Sequence, residues 1–391
     1  MLVSKSFRYE IPTKIEFGQG YVRTLPKHIE QLKATNVLVV GDPGVLAAGI
    51  VAKIEEPLHQ ANINFITFTD VGTEATIESV DQAVELARSN SCDLVIGVGG
   101  GSALDTAKSV GLILGNGGNI RDYIGIDKVP GPGAPVIAIP TTAGTGSEIT
   151  RFSVLSDKKA KAKLSVGSMF NCPTIALCDP ELTISLPPHI TAATGMDALT
   201  HALESYVNKA TQPISEALSI QSIKLISKSL RLAVVQGENL DARHDMLMAS
   251  MLAAMAFSST RLGLAHALAI PLGAHFKIPH GVVNAILLPE VMQFNLIGNL
   301  DKFIEIAGIF GEHTDGLTKR EAAELAVTAV RQLKRDVGIN ATLSDYGLKE
   351  EDLDMIVEEA MQSGNVPVNP VKPSLEDLKN ICRAVMSKEE E

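Results

Sequence analysis

Cysteine is scarce in this chain of 391 residues. Four occur, and no two of them have the CxxC spacing of a zinc knuckle. Their scatter also excludes a disulfide framework, so we expect reduced, mostly buried thiols, as in a cytoplasmic protein. The four are Cys92, Cys172, Cys178 and Cys382.

Positive charge is in short supply as well. There are 34 Lys and Arg against 45 Asp and Glu, which leaves a formal net charge of −11. Nucleic acid and anionic membrane surfaces attract basic proteins, so the charge balance argues against both as partners.

Long apolar runs are missing too. The opening MLVSKSFRYE has no hydrophobic region of the kind found in signal peptides, so we expect a cytoplasmic protein. The most hydrophobic stretch, Met246–Phe257, is too short to cross a bilayer and is predicted to be a buried helix. A chain of this length is expected to form two domains.

The first half alternates strand-like and helix-like segments, a pattern typical of βαβ units and a parallel sheet. One helix is predicted over Ile77–Asn90, and another from about Ala103, after the strand and glycine turn DLVIGVGGG. Further strands are predicted over Asn36–Val40, Ile63–Phe68 and Pro135–Ile139.

The second half is predicted to be helical, because apolar residues recur there at helical spacing. We place the border near residue 186, with an α/β domain over 1–185 and an all-helical domain over 186–391. The predicted helices are Ala192–Asn208, Ile214–Val235, Asp245–Phe257, Lys302–Phe310, Lys319–Val337, Leu348–Ser363 and Leu375–Ser387.

Four side chains suggest a metal site. Asp197 and His201 are four residues apart and share one helix face. His266 and His280 flank the loop-like stretch Pro271–Pro279, which can fold back and bring them together. One carboxylate and three imidazoles suit Fe2+, or alternatively Zn2+, better than Ca2+ or Mg2+. Taken singly, each also fits a core histidine, a helix-terminal charge or a turn residue.

Two glycine-rich loops follow predicted strands and can hold a dinucleotide. GVGGGSALDTAKS combines a glycine turn with a helix N-terminus, which favours an anion, although GxGxxG is not met because Ser102 stands at its last glycine. PTTAGTGSE offers hydroxyls and amides at the end of a second strand. Asp42, after a third strand, fits a ribose-binding carboxylate that favours NAD over NADP, and equally a simple Asx turn.

These motifs together give the chain a resemblance to a known family. PTTAGTGSE, GMDALTHALE and GLAHALAIPLGAHFKIPHG occur in the order found in iron-containing (group III) alcohol dehydrogenases, and KIEFGQG, GGGSALDTAK and NPVKPSLEDL look similar too. The resemblance implies a dinucleotide-binding α/β domain, an all-helical domain with the dehydroquinate synthase-like architecture, and a metal in the cleft between them. It also implies a homodimer or larger homo-oligomer.

The resemblance assigns roles to individual residues. Asp197, His201, His266 and His280 match the family's metal ligands. The positions that match its NAD(P) contacts are Asp42, Gly99, Gly100, Gly101, Ser102, Thr141, Thr142, Thr145 and Lys163.

One position departs from the family pattern. Ile270 stands where the family often has a second histidine, in HxxxHPLG, which makes proton relay and substrate preference uncertain. His275 is the nearest replacement, and so joins His266 and His280 as a catalytic candidate, although a surface histidine is the simpler interpretation. The candidate pocket residues are Phe152, Phe257, Arg261, Ile270 and Phe276.

We therefore expect an NAD(H)- and metal-dependent dehydrogenase for a small primary alcohol, a diol or a short aldehyde, with or without an anionic group. Two alternatives stay open. A lyase of the dehydroquinate synthase type would need a dense basic cluster, and few Lys or Arg lie near the ligands in the sequence. A non-catalytic nucleotide-binding protein would use the same four side chains for a structural metal.

Overall fold

The computed structural model of the chain describes residues 6–157 and 162–387. These residues form two compact units, which we call the α/β unit, Ile11–Leu186, and the helical unit, Pro187–Glu391 with the described part of Met1–Glu10. Residues 6–10 thus lie with the helical unit, whereas the expected division placed 1–185 together.

The α/β unit is built on a six-stranded parallel sheet with the order β1-β9-β6-β4-β2-β3. A smaller sheet has the order β5-β8-β7. The strands are β1 Lys14–Phe17, β2 Asn36–Val40, β3 Asn64–Phe68, β4 Leu94–Gly99, β5 Gly125–Ile126, β6 Val136–Pro140, β7 Phe152–Asp157, β8 Ala162–Gly167 and β9 Ile175–Cys178. The helices are α1 Leu25–Leu32, α2 Pro43–Ala47, α3 Ile50–Gln60, α4 Ile77–Ser89 and α5 Gly101–Asn116.

Strand β2 shows why this sheet is buried on both faces. Successive side chains of a strand point to opposite faces, so a fully apolar strand can supply two cores. Val37 and Val39 pack in one hydrophobic cluster, whereas Leu38 and Val40 pack in another. The helices that cover the two faces therefore shield a continuous run of apolar residues.

The predicted α/β pattern is confirmed, with differences in detail. Helix α5 begins at Gly101, two residues before the predicted start, because the glycine turn itself enters the helix. The antiparallel pair β7 and β8 was not predicted. Its residues pair with each other in the smaller sheet, outside the βαβ alternation that the sequence displays.

The helical unit consists, in its described residues, mainly of α-helices, and some of their connections contain short 3₁₀ helices. The first four are α6 Pro188–Val207, α7 Pro213–Val235, α8 Leu240–Thr260 and α9 Leu264–Phe276. The others are α10 His280–Asn295, α11 Leu300–Ile309, α12 Lys319–Asp336, α13 Leu353–Met361 and α14 Leu375–Ala384.

The stretch Pro271–Pro279 is mostly helical, and the prediction of a loop there was wrong. Helix α9 continues through Pro271 to Phe276, so that only residues 277–279 connect it to α10. A proline inside a helix costs about 3 kcal/mol. Leu268 and Leu272 beside it are fully buried in the core of the helical unit. Each contributes roughly 1.5–3 kcal/mol, which offsets that cost.

One described helical segment, His280–Gly298, is long and apolar enough to cross a membrane by length and composition. Of its most apolar window, 61% is buried inside the structure, and core helices of soluble proteins have the same composition. Helices α8 and α9 also pass this test as a pair, although the chain bends by 102° between them.

Candidate functional site

The helical unit brings the four predicted metal ligands together. Asp197 and His201 lie one turn apart on α6, and their ligand atoms and those of His266 on α9 all lie within 4.8 Å of one another. His280, the first residue of α10, places Nε2 3.7 Å from Oδ1 of Asp197. Three helices thus converge on one point.

The ligand cluster is largely closed to water. Asp197, His201 and His266 are buried, whereas the side chain of His280 is 44% exposed. The rings of His201 and His266 are stacked with centroids 4.6 Å apart, and the ring centroid of Phe257, on α8, lies 4.6 Å from that of His201. This arrangement leaves His280 as the most accessible member of the set.

Asp197 is held as a carboxylate. Burial by itself would raise the pKa of its carboxyl. The three imidazoles and a hydrogen bond from Asn284 outweigh that effect, and its pKa lies below the ordinary value. A deprotonated carboxylate among histidines is the state that a divalent cation requires.

Asn284 is a member of this cluster that the sequence analysis missed. Its Nδ2 lies 2.7 Å from Oδ1 of Asp197 and 3.2 Å from Nε2 of both His266 and His280. Its own Oδ1 is buried and has no hydrogen-bond partner among the described residues. The residue lies four positions after His280, on the same helix face, which is the signal that could have revealed it.

Glu204 was missed as well. It lies three residues after His201 on α6, and its Oε2 is 2.7 Å from Nδ1 of His266. Histidines that bind metals usually donate their second ring N–H to such a carboxylate. The donor set, its burial and this outer partner all fit a divalent transition metal, with Asp197, His201, His266 and His280 as the ligands.

The α/β unit gathers the predicted dinucleotide residues at one sheet edge. Strands β6, β4 and β2 are neighbours and parallel, so the loops that follow them lie side by side. Asp42 follows β2, Gly99 ends β4, and Thr141 follows β6, where its N–H donates to the carbonyl of Gly99 at 3.0 Å. Ligands of open α/β sheets bind at this end of the strands.

The two glycine-rich loops pack directly on each other. A Cβ on Gly100 would meet Cγ2 of Thr142 at 3.3 Å, and one on Gly101 would meet Cγ2 of Thr145 at 3.0 Å. A methyl group at either position would therefore press on a threonine side chain of the other loop.

Asp42, Ser102 and Lys163 all have protein partners. Oδ1 of Asp42 accepts from the amides of Gly44 and Val45 and caps α2, so the Asx-turn interpretation describes this oxygen. The hydroxyl of Ser102 donates to the carbonyl of Thr73 at 2.9 Å.

Lys163 places Nζ 3.1 Å from Oε1 of Glu74. Thr73, whose carbonyl accepts the hydrogen bond from Ser102, directly precedes Glu74. Ser102 and Lys163 therefore both contact the segment Thr73–Glu74.

A buried ion pair on α5 contacts the loop PTTAGTGSE. Nζ of Lys108 on α5 lies 3.0 Å from Oδ1 of Asp105 and donates to the carbonyl of Ser147 at 3.1 Å. Asp105 in turn accepts from the hydroxyl of Ser147 and from the amide of Val154. The lysine side chain has no exposed surface. Helix α5 thus fixes both the glycine turn at its start and the loop PTTAGTGSE.

The candidate pocket residues are spread over several places. Phe257 is the one with a ring against a predicted ligand, His201. Ile270 is 47% exposed, and Phe276 packs against the core of the helical unit. Arg261 donates to the carbonyl of Gly364 at 3.2 Å.

The two remaining candidates have other neighbours. Phe152 lies in β7 of the α/β unit, with the guanidinium of Arg151 5.4 Å from its ring. His275 places Nε2 2.9 Å from Oε1 of Glu359 on α13 and forms a partly exposed hydrogen bond there.

Two family models match most of the chain. The model described as "Iron-containing alcohol dehydrogenase" matches residues 12–180, and "Fe-containing alcohol dehydrogenase family, C-terminal" matches residues 191–386. The chain is also 41% identical over 381 residues to the 1,3-propanediol dehydrogenase of Citrobacter freundii, an alignment that covers 97% of this chain and 98% of that protein.

Solved structures agree with these matches. The structure of a 1,3-propanediol oxidoreductase superimposes with a TM-score of 0.95 at 39% identity and covers 97% of this chain and 100% of its own. The structure of a sulfoacetaldehyde reductase from Bifidobacterium kashiwanohense in complex with NAD+ gives a TM-score of 0.89 at 32% identity. This match covers 98% of this chain and 100% of the reductase chain.

Proposed function

The chain belongs to the iron-containing alcohol dehydrogenase family, and we propose that it uses NAD(H) and a divalent metal to interconvert a small primary alcohol or diol with its aldehyde. The observation that carries this proposal is the convergence of Asp197, His201, His266 and His280 from three helices. Fe2+ is the proposed ion, with Zn2+ as the alternative.

The reaction needs an activated substrate oxygen and a hydride carrier. A divalent ion lowers the pKa of an oxygen bound to it, and polarises a carbonyl in the reverse direction. The nicotinamide ring takes up or gives the hydride.

The protein residues hold the ligand atoms in place and keep water away from them. Three of the four ligand side chains are buried, and Phe257 covers one face of His201. His280, the exposed ligand, marks the side from which an alcohol or aldehyde would reach the centre.

The proposed cofactor is NAD rather than NADP. Oδ1 of Asp42 is engaged as a helix cap, whereas no hydrogen bond is seen to its Oδ2 among the described residues. This second oxygen is suited to accept a hydrogen bond from a ribose hydroxyl and to repel a 2′-phosphate. The relative from Bifidobacterium kashiwanohense was solved with NAD+, which supports the same preference.

The proposed substrates are short and uncharged. Ile270 places an apolar side chain at a position where the family often has histidine, and Phe257 adds an aromatic face. Arg261, the basic candidate, already binds a backbone carbonyl. We therefore favour 1,3-propanediol and short primary alcohols over an anionic aldehyde such as sulfoacetaldehyde, on which a relative is named as acting.

The test uses metal-free protein prepared with a chelator and verified by elemental analysis. NADH absorbance is followed with 1,3-propanediol, ethanol, propanal and sulfoacetaldehyde, before and after Fe2+ or Zn2+ is restored. We expect no turnover without metal and recovery with it. Full activity in metal-free protein would reject the proposal.

His266→Ala provides the matched variant. It should abolish turnover and leave NAD binding intact, because His266 belongs to the helical unit and the glycine loops belong to the α/β unit. His313→Ala, which removes an exposed histidine of the same unit, serves as the control and should retain wild-type activity.

We also propose that the enzyme is a cytoplasmic homo-oligomer. The spacing of its four cysteines shows no disulfide framework, which fits a reducing compartment, and the family resemblance favours dimers or larger assemblies. Light scattering after size-exclusion chromatography tests the assembly, and a mass of 41.5 kDa would indicate a monomer.

A further inference from the structure

Glu204 is a buried carboxylate with three donors around it. Its side chain is 4% exposed. Oε2 accepts from the amide of Gly263 at 2.8 Å and lies 2.7 Å from Nδ1 of His266, and Oε1 accepts from the amide of Ala265 at 2.7 Å. Both carboxylate oxygens accept from backbone N–H groups, whose protons have a fixed place, so the side chain is positioned to accept at each contact.

This arrangement decides which nitrogen of His266 carries the proton. With Oε2 of Glu204 placed as an acceptor, the geometry favours Nδ1 of His266 as the donor, and the tautomer that carries its proton on Nδ1 keeps a lone pair on Nε2. Nε2 is the nitrogen that faces the ligand cluster, 3.7 Å from Oδ1 of Asp197. The hydrogen bond on one side of the ring thus prepares the other side to bind a cation.

The same carboxylate fixes where the ring lies. Gly263 is the N-cap residue of α9, and Glu204 receives its amide and that of Ala265 in the first turn. A Cβ on Gly263 would come within 2.8 Å of Oε1 of Glu204, so the carboxylate lies directly against the backbone. Helix α6 thereby holds the start of α9 and, through it, His266.

We propose that Glu204 is a positioning residue of the metal centre, which sets the tautomer and orientation of His266 and so the affinity for the metal. This inference rests on the metal site proposed above. Two roles that are otherwise separate, capping α9 and preparing a ligand, are combined in one side chain.

The test compares Glu204→Gln with the wild type in direct metal binding. Glutamine has about the same size, but it has one acceptor oxygen and an NH2 that cannot accept. Either the amide of Ala265 loses its acceptor, or His266 must accept at Nδ1 and carry its proton on Nε2. We expect the dissociation constants for Zn2+ and Co2+, measured by chelator competition, to rise about 10- to 100-fold.

Two further readouts separate positioning from capping alone. The visible absorption of bound Co2+ reports ligand geometry, and it should change in Glu204→Gln. Glu305→Gln is the control, because Glu305 also accepts a hydrogen bond from α6, at Tyr206, and touches none of the ligands. It should retain metal affinity. An unchanged metal affinity and Co2+ spectrum in Glu204→Gln would reduce Glu204 to a helix cap and overturn the inference.

A double-mutant cycle tests the route through His266. Once His266→Ala has removed the imidazole, adding Glu204→Gln should weaken metal binding by less than twofold. A full additional loss would mean that Glu204 acts elsewhere, against the inference. Wild-type protein that binds neither Zn2+ nor Co2+ would instead reject the metal centre itself, and the inference with it.

A measurement on the wild type covers the case in which Glu204→Gln does not fold. Nitrogen NMR of protein labelled at the histidine rings, with His266 assigned from the spectrum of His266→Ala, reports the protonated nitrogen directly. A proton on Nδ1 supports the inference, and a proton on Nε2 alone overturns it.

Discussion

A methyl group on Gly99 would lie 2.9 Å from Oδ2 of Asp42. The same group would meet Cβ of Ala103 at 2.7 Å, and the backbone of Gly99 has a φ of +147°, which side-chain-bearing residues rarely adopt. Glycine at this strand end therefore keeps open the space in front of the Asp42 carboxylate, where a dinucleotide is proposed to bind.

Gly99→Ala should accordingly weaken NAD binding. We expect the KM for NAD to rise at least about tenfold, together with a lower melting temperature, since the strained backbone and the close contacts both oppose the native turn. Gly308→Ala is the control, because no atom lies within 4 Å of an added Cβ in α11. Equal effects of the two changes would contradict the assignment of Gly99 to the cofactor site.

Asp42→Asn should change the choice between the two cofactors. Asparagine keeps an oxygen that can cap α2 through Gly44 and Val45, but it removes the charge that repels a 2′-phosphate. We expect the ratio of kcat/KM for NADPH over NADH to rise at least about tenfold, because like charges in contact cost several kcal/mol. A ratio within twofold of the wild type would speak against Asp42 as the discriminating residue.

Asn284→Ala should weaken the metal centre. The amide contacts Asp197, His266 and His280, so its loss frees three ligand side chains, and we expect about tenfold weaker metal affinity with lower kcat. Asn295→Ala removes another buried amide of α10, one that pairs with Asn369. Titration of metal-free protein should show normal affinity for this control.

Lys108→Met should disturb the cofactor loop and the stability together. Leaving Asp105 buried without its partner costs about 3–5 kcal/mol, and the loop at Ser147 loses an anchor. Lys228→Met removes the lysine of an exposed pair with Asp245 and should cost less than about 1 kcal/mol. Denaturant unfolding and NAD titration of both variants provide the comparison. A Lys108→Met protein with wild-type stability would contradict the prediction that the buried pair with Asp105 stabilises the fold.

Glu148→Gln should stabilise the fold at neutral and alkaline pH. Burial raises the pKa of the Glu148 carboxyl to about 7, and within the part of the chain that the structure describes its Oε1 has no hydrogen-bond partner. Since the folded protein binds this proton more tightly than the unfolded chain, the cost of the charge is absent below about pH 4.5. It grows as the pH rises and is complete above about pH 7, where it reaches roughly 3 kcal/mol.

The measurement is the difference in unfolding free energy between Glu148→Gln and the wild type at pH 5 and pH 8. The gain from the substitution should be larger at pH 8. A gain that is equal at the two pH values, or larger at pH 5, would show that the carboxyl titrates normally in the fold.

Strong local patterns were sufficient to predict most of the fold. The β2 prediction coincides with the observed strand, because NVLVV is a continuous apolar run between polar residues. Helix α12 begins at the predicted Lys319, where Thr318 and Glu321 form a capping box. Such signals lie within a few residues of the element that they specify.

The missed features depend on contacts between distant parts of the chain. Glu204 finds its three donors 59 to 62 residues further on, and a glutamate at the end of an apolar helix has no local feature that announces them. Strands β7 and β8 are stabilised by each other and by β5. Local propensity opposes a helix that continues through Pro271. Helix α9 does so because the neighbouring Leu268 and Leu272 are buried in the core of the helical unit.

The pairing of β1 with β9 sets an order of events during synthesis. Lys14 lies beside Ile175, and this edge of the sheet can be completed only after residue 178 has left the ribosome. Until then the first strand has no β9 edge to join, and contacts so far apart in sequence form slowly. For most of the time that the ribosome spends on the α/β unit, β1 therefore has no strand partner, and an open strand edge of this kind is exposed to wrong pairing.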